Sequence, residues 1–235
     1  SLLFSSSFGP LRSVLESKLP RRWTSSFARI PASLFGAEVR VRNTIVIGQA
    51  DGEPALMASR CRRWVADFRP HLFQTIRYAT PRIRVSDKWP MVDDVRVVDA
   101  FSEIEDGRLG TFAGMASNRE REPFRFPLYY KSNAYNYISA FIDVPPVRNA
   151  DGTAGVQTKM ASLWFKSEED RDIAYALSVS RLMFAWWRMW GDDFDVTQEV
   201  LGSLPVGAHK VLGSARKQPL SSFSNCHRKG SAGRR

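Results

Sequence analysis

The sequence predicts an α+β fold, and three observations carry that prediction. Short apolar runs bounded by Gly, Pro and Asp-Gly turns read as strands. One segment, Glu168 to about Trp190, keeps helical spacing along its length, with Ile173, Ala176, Leu177, Ser180, Phe184 and Trp187 on one stripe. Beyond about Gly207 all periodicity stops and the chain turns Ser-, Gly- and base-rich, the composition of a disordered tail.

The elements follow in order. Phe8 to Ser17 is predicted as a short amphipathic helix with Phe8, Leu11, Val14 and Leu15 on one face, and Pro10 sits in the first turn, where proline is tolerated. Arg22 to Phe27 reads as a strand and Pro31 to Glu38 as a loop. Val39 to Ile47 alternates and then becomes continuously apolar, the pattern of a strand entering a buried sheet. Asp51-Gly52 signals a turn before a strand at Ala55 to Ala58. Helix is expected over Arg63 to Tyr78, interrupted by Pro70, and over Met91 to Glu105. Strands are expected at Leu109 to Gly114, Phe126 to Lys131, Tyr137 to Ile142 and Ala161 to Phe165. Ser167-Glu-Glu-Asp170 is a capping box opening the long helix, and Gly191 stops it. Thr197 caps a last short helix, Gln198 to Leu201.

A chain of 235 residues holds one large domain or two small ones. Its 43% hydrophobic and 25% charged composition is that of an ordinary globular protein, and no run approaches the ~20 apolar residues of a membrane span, so no membrane partner is expected. The first residues, Ser1-Leu-Leu-Phe, lack a basic leader region and a starting Met, which points to a fragment or processed chain. Cys61 and Cys226 are too few for a disulfide framework or a zinc site, so a reducing, cytoplasmic setting is the default.

Charge is segregated. Residues 1–90 carry 15 Lys/Arg against 6 Asp/Glu, residues 91–199 carry 12 against 18, and residues 200–235 carry 7 against none. Arg outnumbers Lys 26 to 8. Guanidinium forks suit phosphate and guanine, so a polyanion partner is one reading, and Arg-favouring GC-rich coding is the other.

Two stretches together carry a family resemblance. The first runs through Phe8-Gly-Pro-Leu-Arg-Ser-Val-Leu15, Trp23-Thr-Ser-Ser-Phe-Ala-Arg-Ile-Pro31, Leu34-Phe-Gly36 and Val39 to Ile47. The second runs through Leu163-Trp-Phe-Lys166, Ala176 to Trp187, Asp192-Asp-Phe-Asp-Val-Thr197 and Leu204-Pro205. Their order and spacing resemble the C-terminal part of gamma-class adenine-specific DNA methyltransferases of restriction–modification systems. The resemblance implies the remnant edge of a Rossmann-like methyltransferase sheet in residues 1–80, a mixed α/β target-recognition domain in 81–206, and a disordered basic tail in 207–235. It departs from the family in two ways. Val179-Ser180 stands where the family has Asn-Ser, and the glycine-bearing S-adenosylmethionine loop and the Asn-Pro-Pro-Tyr motif are absent; Pro145-Pro146 sits between Val144 and Val147. The expectation is therefore double-stranded DNA and the missing N-terminal catalytic half as partners, S-adenosylmethionine as cofactor of the parent enzyme, and no cofactor held by this chain alone.

Candidate site residues follow, two from the resemblance and the others from the sequence itself. The resemblance places the aromatic that stacks on a flipped base at Phe35, with Phe27 as second choice, and core packing is the alternative for both. Arg40 and Arg42 alternate with Val39 and Val41, so they share a strand face that suits phosphate or plain solvent. Arg60, Arg62 and Arg63, beside Trp64, form the densest basic cluster and are candidate phosphate anchors. Residues 119–137 interleave aromatic, basic and amide groups, with Arg125, Lys131, Asn133 and Asn136 as candidate base or backbone contacts against a reading as strand and core. His71, His209 and His227 are scattered, and Asp192, Asp193 and Asp195 lack companion ligands, so neither a hydrolytic nor a metal site is expected.

Trp186, Trp187 and Trp190 cannot share one face at 100° per residue, so this helix is expected to be buried on two sides. Its role reads as structural, with a DNA contact by Arg188 as the alternative. A non-enzymatic DNA-specificity or interaction subunit and a decaying reading frame remain as competing readings.

Overall fold

The computed structural model describes residues 3, 5–36, 41–82, 85, 87–105 and 111–205. It is a mixed α+β chain with several small sheets. Two units are distinguished: Ser1–Asp106 with Ala185–Asp195, and Gly107–Phe184 with Val196–Arg235. The predicted tail, Arg40 and the start of the predicted Val39 strand lie outside the described residues.

The first unit opens with α1 (Gly9–Lys18), which carries Pro10 in its first turn as expected. Its burial departs from the amphipathic reading. Phe8, Leu11 and Val14 are exposed, and the helix buries Arg12 instead. Arg12 donates from Nε to the Asp87 carbonyl (2.8 Å) and from Nη1 to the Ser5 carbonyl (2.9 Å), so its charge enters the interior already partnered. The central strand β1 (Arg21–Phe27) pairs antiparallel with β2 (Asn43–Gln49) and parallel with β3 (Ala55–Ala58). β1 is the most buried of the three because it has a neighbour on each edge. Arg22 survives there by lying 4.8 Å over the Trp89 ring and donating to Glu16 at 2.7 Å, while Trp89 Nε1 donates to the same carboxylate at 2.9 Å. Phe27 joins Leu34, Trp64 and Leu72 in one core cluster, and the next residue, Ala28, joins Leu3, Cys61, Trp89 and Met91 in another.

The helix expected over Arg63 to Tyr78 is replaced by two 3₁₀ turns, Ala66–His71 and Phe73–Thr75. Pro70 supplies no donor and restricts Arg69, which leaves no room for a full α-helix. The next helix forms later than expected, as α2 (Val95–Glu105).

The second unit begins with α3 (Phe112–Met115), where the sequence had predicted a strand. Phe112 is drawn inward against Phe165 with ring centroids 6.0 Å apart, and its N–H bonds the Leu204 carbonyl at 2.9 Å. A four-stranded sheet follows, made of β4 (Ala116–Ser117), β5 (Phe126–Lys131), β6 (Ala140–Phe141) and a later strand, Met160–Phe165. Between these lies a small hairpin, β7 (Val147–Arg148) and β8 (Ala154–Gly155), turned by Asp151-Gly152 with Gly152 at φ +84°. Met160–Phe165 is β9, and the order is β4-β9-β5-β6. The register Leu128↔Leu163 and Phe126↔Phe165 stacks apolar residues on one face. Of the strand expected over Tyr137 to Ile142, only β6 pairs.

The long helix is two helices, α4 (Glu168–Ser178) and α5 (Arg181–Trp190). Ser180 marks the break. Its Oγ accepts from the Met183 N–H at 3.2 Å and donates to the Leu177 carbonyl at 2.6 Å, so it caps a new helix rather than continuing the old one. Ser167 caps α4 and Thr197 caps α6 (Gln198–Gly202), as expected. From Ala185 on, α5 belongs to the first unit, where Trp186, Trp187 and Trp190 are all buried. Trp186 packs on Phe101 (5.1 Å) and Trp190 (5.8 Å). Trp187 Nε1 donates to the Asp195 carbonyl at 2.8 Å. At roughly 25 cal/mol per Å² and about 200 Å² each, these three rings contribute on the order of 5 kcal/mol apiece, as an upper figure. Gly191 ends α5 under a close approach, since an added Cβ would meet the Trp187 carbonyl oxygen at 2.6 Å.

Candidate nucleic-acid interface

In the first unit the chain leaving β3 stays beside β1. Ser59 N–H bonds the Thr24 carbonyl, Arg62 N–H the Ser26 carbonyl, and Ala28 N–H the Arg62 carbonyl, each at 2.9 Å. This pins Arg60, Arg62 and Arg63 to the edge of a sheet rather than to a mobile loop. Arg60 Nε lies 3.2 Å from Asp93 Oδ2. Arg62 donates to the Thr75 carbonyl (2.8 Å) and hydroxyl (2.6 Å). Arg63 donates to Asp193 Oδ2 (3.0 Å) and to its carbonyl (3.2 Å). Arg188 pairs with the same Asp193 carboxylate and donates from Nη2 to the Cys61 carbonyl at 2.9 Å. Asp193 sits at φ +66°, a left-handed conformation that Asp tolerates better than most residues.

These side chains enclose a cavity of about 230 Å³ lined by Arg60, Cys61, Arg62, Arg63 and Arg188. Arg60 and Arg62 also line an open cleft of about 1100 Å³ that includes Arg77 and Arg96 with Asp93 and Asp94. Burial is the main cause that pulls the Arg188 guanidinium down to about 10, with Arg63, Arg42 and Arg60 pushing the same way. It remains charged at neutral pH. Burial also pushes the Cys61 thiol above its ordinary value, although Arg42, Arg188 and Arg63 pull it down.

Arg42 does not lie on a phosphate-facing surface. Its side chain is nearly buried, donates to the Gly191 carbonyl at 3.2 Å and lies 3.9 Å from Asp192 Oδ1, while its neighbour Val41 is exposed. Val41 and Arg42 precede β2 rather than lying in a strand, and there the ion-paired Arg turns inward and the Val outward. Phe27 is 0% exposed and meets Phe73 edge-on at 5.7 Å, so it is a core residue with no face for a base. Phe35 is 62% exposed in the turn that ends at Gly36 (φ +89°).

In the second unit the residues between β5 and β6 build a separate concavity of about 390 Å³. It gathers Lys131, Asn133 and Asn136 with Tyr135, Tyr137 and Lys159. Lys131 ends β5, and its Nζ donates to Gln157 Oε1 at 2.7 Å and to the Thr158 carbonyl at 3.3 Å. Ser132 N–H bonds the Lys159 carbonyl at 2.7 Å, which fixes the far wall. Tyr137 is 69% exposed. Arg125, predicted with this set, is elsewhere. Its Nε donates to Glu122 at 2.8 Å and Nη1 reaches Glu120 at 3.5 Å, so its charge is locally neutralised.

Sequence reasoning missed Arg77, Arg96, Tyr137 and Lys159. Arg77, Arg96 and Lys159 are isolated in the sequence, and Tyr137 lay within the 119–137 stretch without being singled out. Asp193 was seen only as part of an acidic loop; Arg188 lies five residues before it, but Arg63 is 130 residues away and no spacing signals that pairing.

Among the described residues no group of three or more His, Cys, Asp or Glu is placed to hold a metal, and no helix is long and apolar enough to cross a membrane. Nor do they form a glycine cradle for a nucleoside cofactor. Gly36, Gly52 and Gly152, those with positive φ, lie in open turns where an added Cβ meets nothing within 4 Å. Compared with family models, with curated proteins and with solved structures, the chain matches none.

Proposed function

We propose that this chain is the DNA-binding, target-recognition portion of a site-specific adenine DNA methyltransferase, incomplete for catalysis by itself. The observation that carries the reading is the concavity in the second unit, where a cation (Lys131), two amides (Asn133, Asn136) and an exposed aromatic (Tyr137) converge. Amides address adenine edges, flat rings stack on bases, and a cation holds the adjoining phosphate. The arginine-lined cleft of the first unit supports it, since phosphate attraction requires clustered rather than dispersed positive charge.

The three-stranded sheet fits the edge of a larger, mostly parallel sheet: β1 and β3 run parallel, and β2 closes the outside antiparallel. No step of methyl transfer is assigned to these residues, because Asn-Pro-Pro-Tyr occurs nowhere in the 235 residues.

The test is duplex binding by the full chain, followed by fluorescence anisotropy as salt is varied. Binding should weaken at least about tenfold between roughly 50 and 200 mM salt. No methyl group should pass from S-adenosylmethionine to DNA. An affinity indifferent to salt would refute the electrostatic basis of the reading.

A further inference from the structure

We propose that the cavity walled by Arg60, Arg62, Arg63 and Arg188 is an oxyanion site that takes one phosphate group. It deepens the nucleic-acid reading only in that a DNA backbone phosphodiester is one source of that phosphate; free inorganic phosphate is the other.

The wall composition is the first argument. Four of the five lining residues are arginines, the fifth is Cys61, and no carboxylate is among them. The carboxylates that balance these arginines stand behind the wall: Asp93 on Arg60, Asp193 on Arg63 and Arg188. Each pairing orients a guanidinium fork without placing negative charge inside the cavity. Planar forks held in this way are suited to tetrahedral oxyanions, which they bind through parallel N–H donors.

Size and access agree with this. About 230 Å³ is the liquid volume of roughly eight waters, enough for a phosphate group with a few waters and too small for a nucleoside beside it. Arg60 and Arg62 belong to both the cavity and the open cleft that carries Arg77 and Arg96 with Asp93 and Asp94, so the two share a wall. Electrostatics supply a further reason. Burial is the main cost to the charge of Arg188, and Arg63, Arg42 and Arg60 add to it while Cys61 acts the other way. An anion in the cavity reverses the sign of that local field. Neither Asp193 nor the Cys61 carbonyl, which hold Arg188 from the other side, can do so from inside the cavity.

The experiment uses the full chain, Arg188→Gln and Arg60→Gln. Arg60 is 62% exposed, so its replacement leaves the fold intact and decides the matter if Arg188→Gln does not fold. Inorganic phosphate is titrated by calorimetry at constant ionic strength, and a random-sequence duplex is titrated across a salt series. If the source is free phosphate, the wild-type chain binds it and each variant weakens that binding tenfold or more. If the source is the DNA backbone, inorganic phosphate does not bind, and the slope of log affinity against log salt falls by about one in each variant. Phosphate and duplex binding both unchanged in folded variants would overturn the site while leaving the DNA reading standing. Phosphate binding lost in the variants, with no duplex binding at all, would keep the site and overturn the DNA reading.

Discussion

The two basic regions differ in how their charge is held. In the first unit the cations are arginines, partly buried and backed by carboxylates: Arg63 and Arg188 share Asp193, and Arg60 has Asp93. In the second unit Lys131 is tied only to a side-chain amide and a carbonyl, beside amides and exposed tyrosines. The first arrangement spends carboxylates to keep forks fixed, so stability and binding are coupled there. The second has no buried charge to support, so its residues can change with little effect on the fold. On the proposed nucleic-acid reading, non-specific anchoring suits the first kind of surface and sequence readout the second.

The largest expected effect breaks the first arrangement. Asp193→Asn keeps a residue that tolerates the left-handed backbone at φ +66° and removes only the charge. It leaves Arg63 and Arg188 facing each other without their shared carboxylate. The expected cost is about 3 kcal/mol, the range for removing one partner of a buried pair. It is read as a lower urea midpoint at unchanged slope. A cost below about 0.5 kcal/mol would show that solvent already screens this cluster, and the contrast between the regions would disappear.

The second region should behave in the opposite way. Asn133→Ala and Asn136→Ala are expected to change stability by no more than about 0.5 kcal/mol, as surface substitutions do. Each should cost about 1–3 kcal/mol of discrimination between a preferred duplex, found by selection from a random pool, and bulk DNA. Equal losses on both DNAs would make these residues anchors rather than readers.

The sequence carried more of the fold than of the site. Strands at Ala55–Ala58 and Phe126–Lys131 were legible to the residue, because short apolar runs there are bounded by strong turn signals. Caps at Ser167 and Thr197 were legible because capping is a local contest between one hydroxyl and the next turn. The break at Ser180 was not, since a mid-stripe serine fits helical spacing and a cap equally well. Nor was the burial of Arg12, which depends on the distant Asp87. In the candidate site, Lys131, Asn133 and Asn136 were legible as a composition bias within one loop. Arg42 precedes β2, so strand alternation does not govern its side chain, and of the two roles open to Phe27 the buried ring takes the core one. Arg188 and Asp193 met Arg63 through long-range packing that no spacing encodes.

A smaller effect sharpens the comparison from inside the cavity. Cys61 lines a wall of arginines, and an unopposed positive field would lower its thiol, as cationic sites do. Burial outweighs that field here and raises the thiol above its ordinary value. The sign for stability follows directly. With the folded value raised, the folded state retains a proton that the unfolded chain has released once the pH passes the unfolded thiol value near 9. The contribution is complete below that pH and is lost above it, at no more than about 1.4 kcal/mol per pH unit. In a Cys226→Ser background, the wild-type Cys61 protein should therefore lose stability on going from pH 8 to about pH 10 more than Cys61→Ala does, and alkylation of Cys61 should rise only above the pH at which a free thiol reacts. Alkylation already complete in pH at an ordinary thiol value would mean that the arginine field reaches the sulfur through water, which makes the cavity an open basic surface like the other region rather than its opposite.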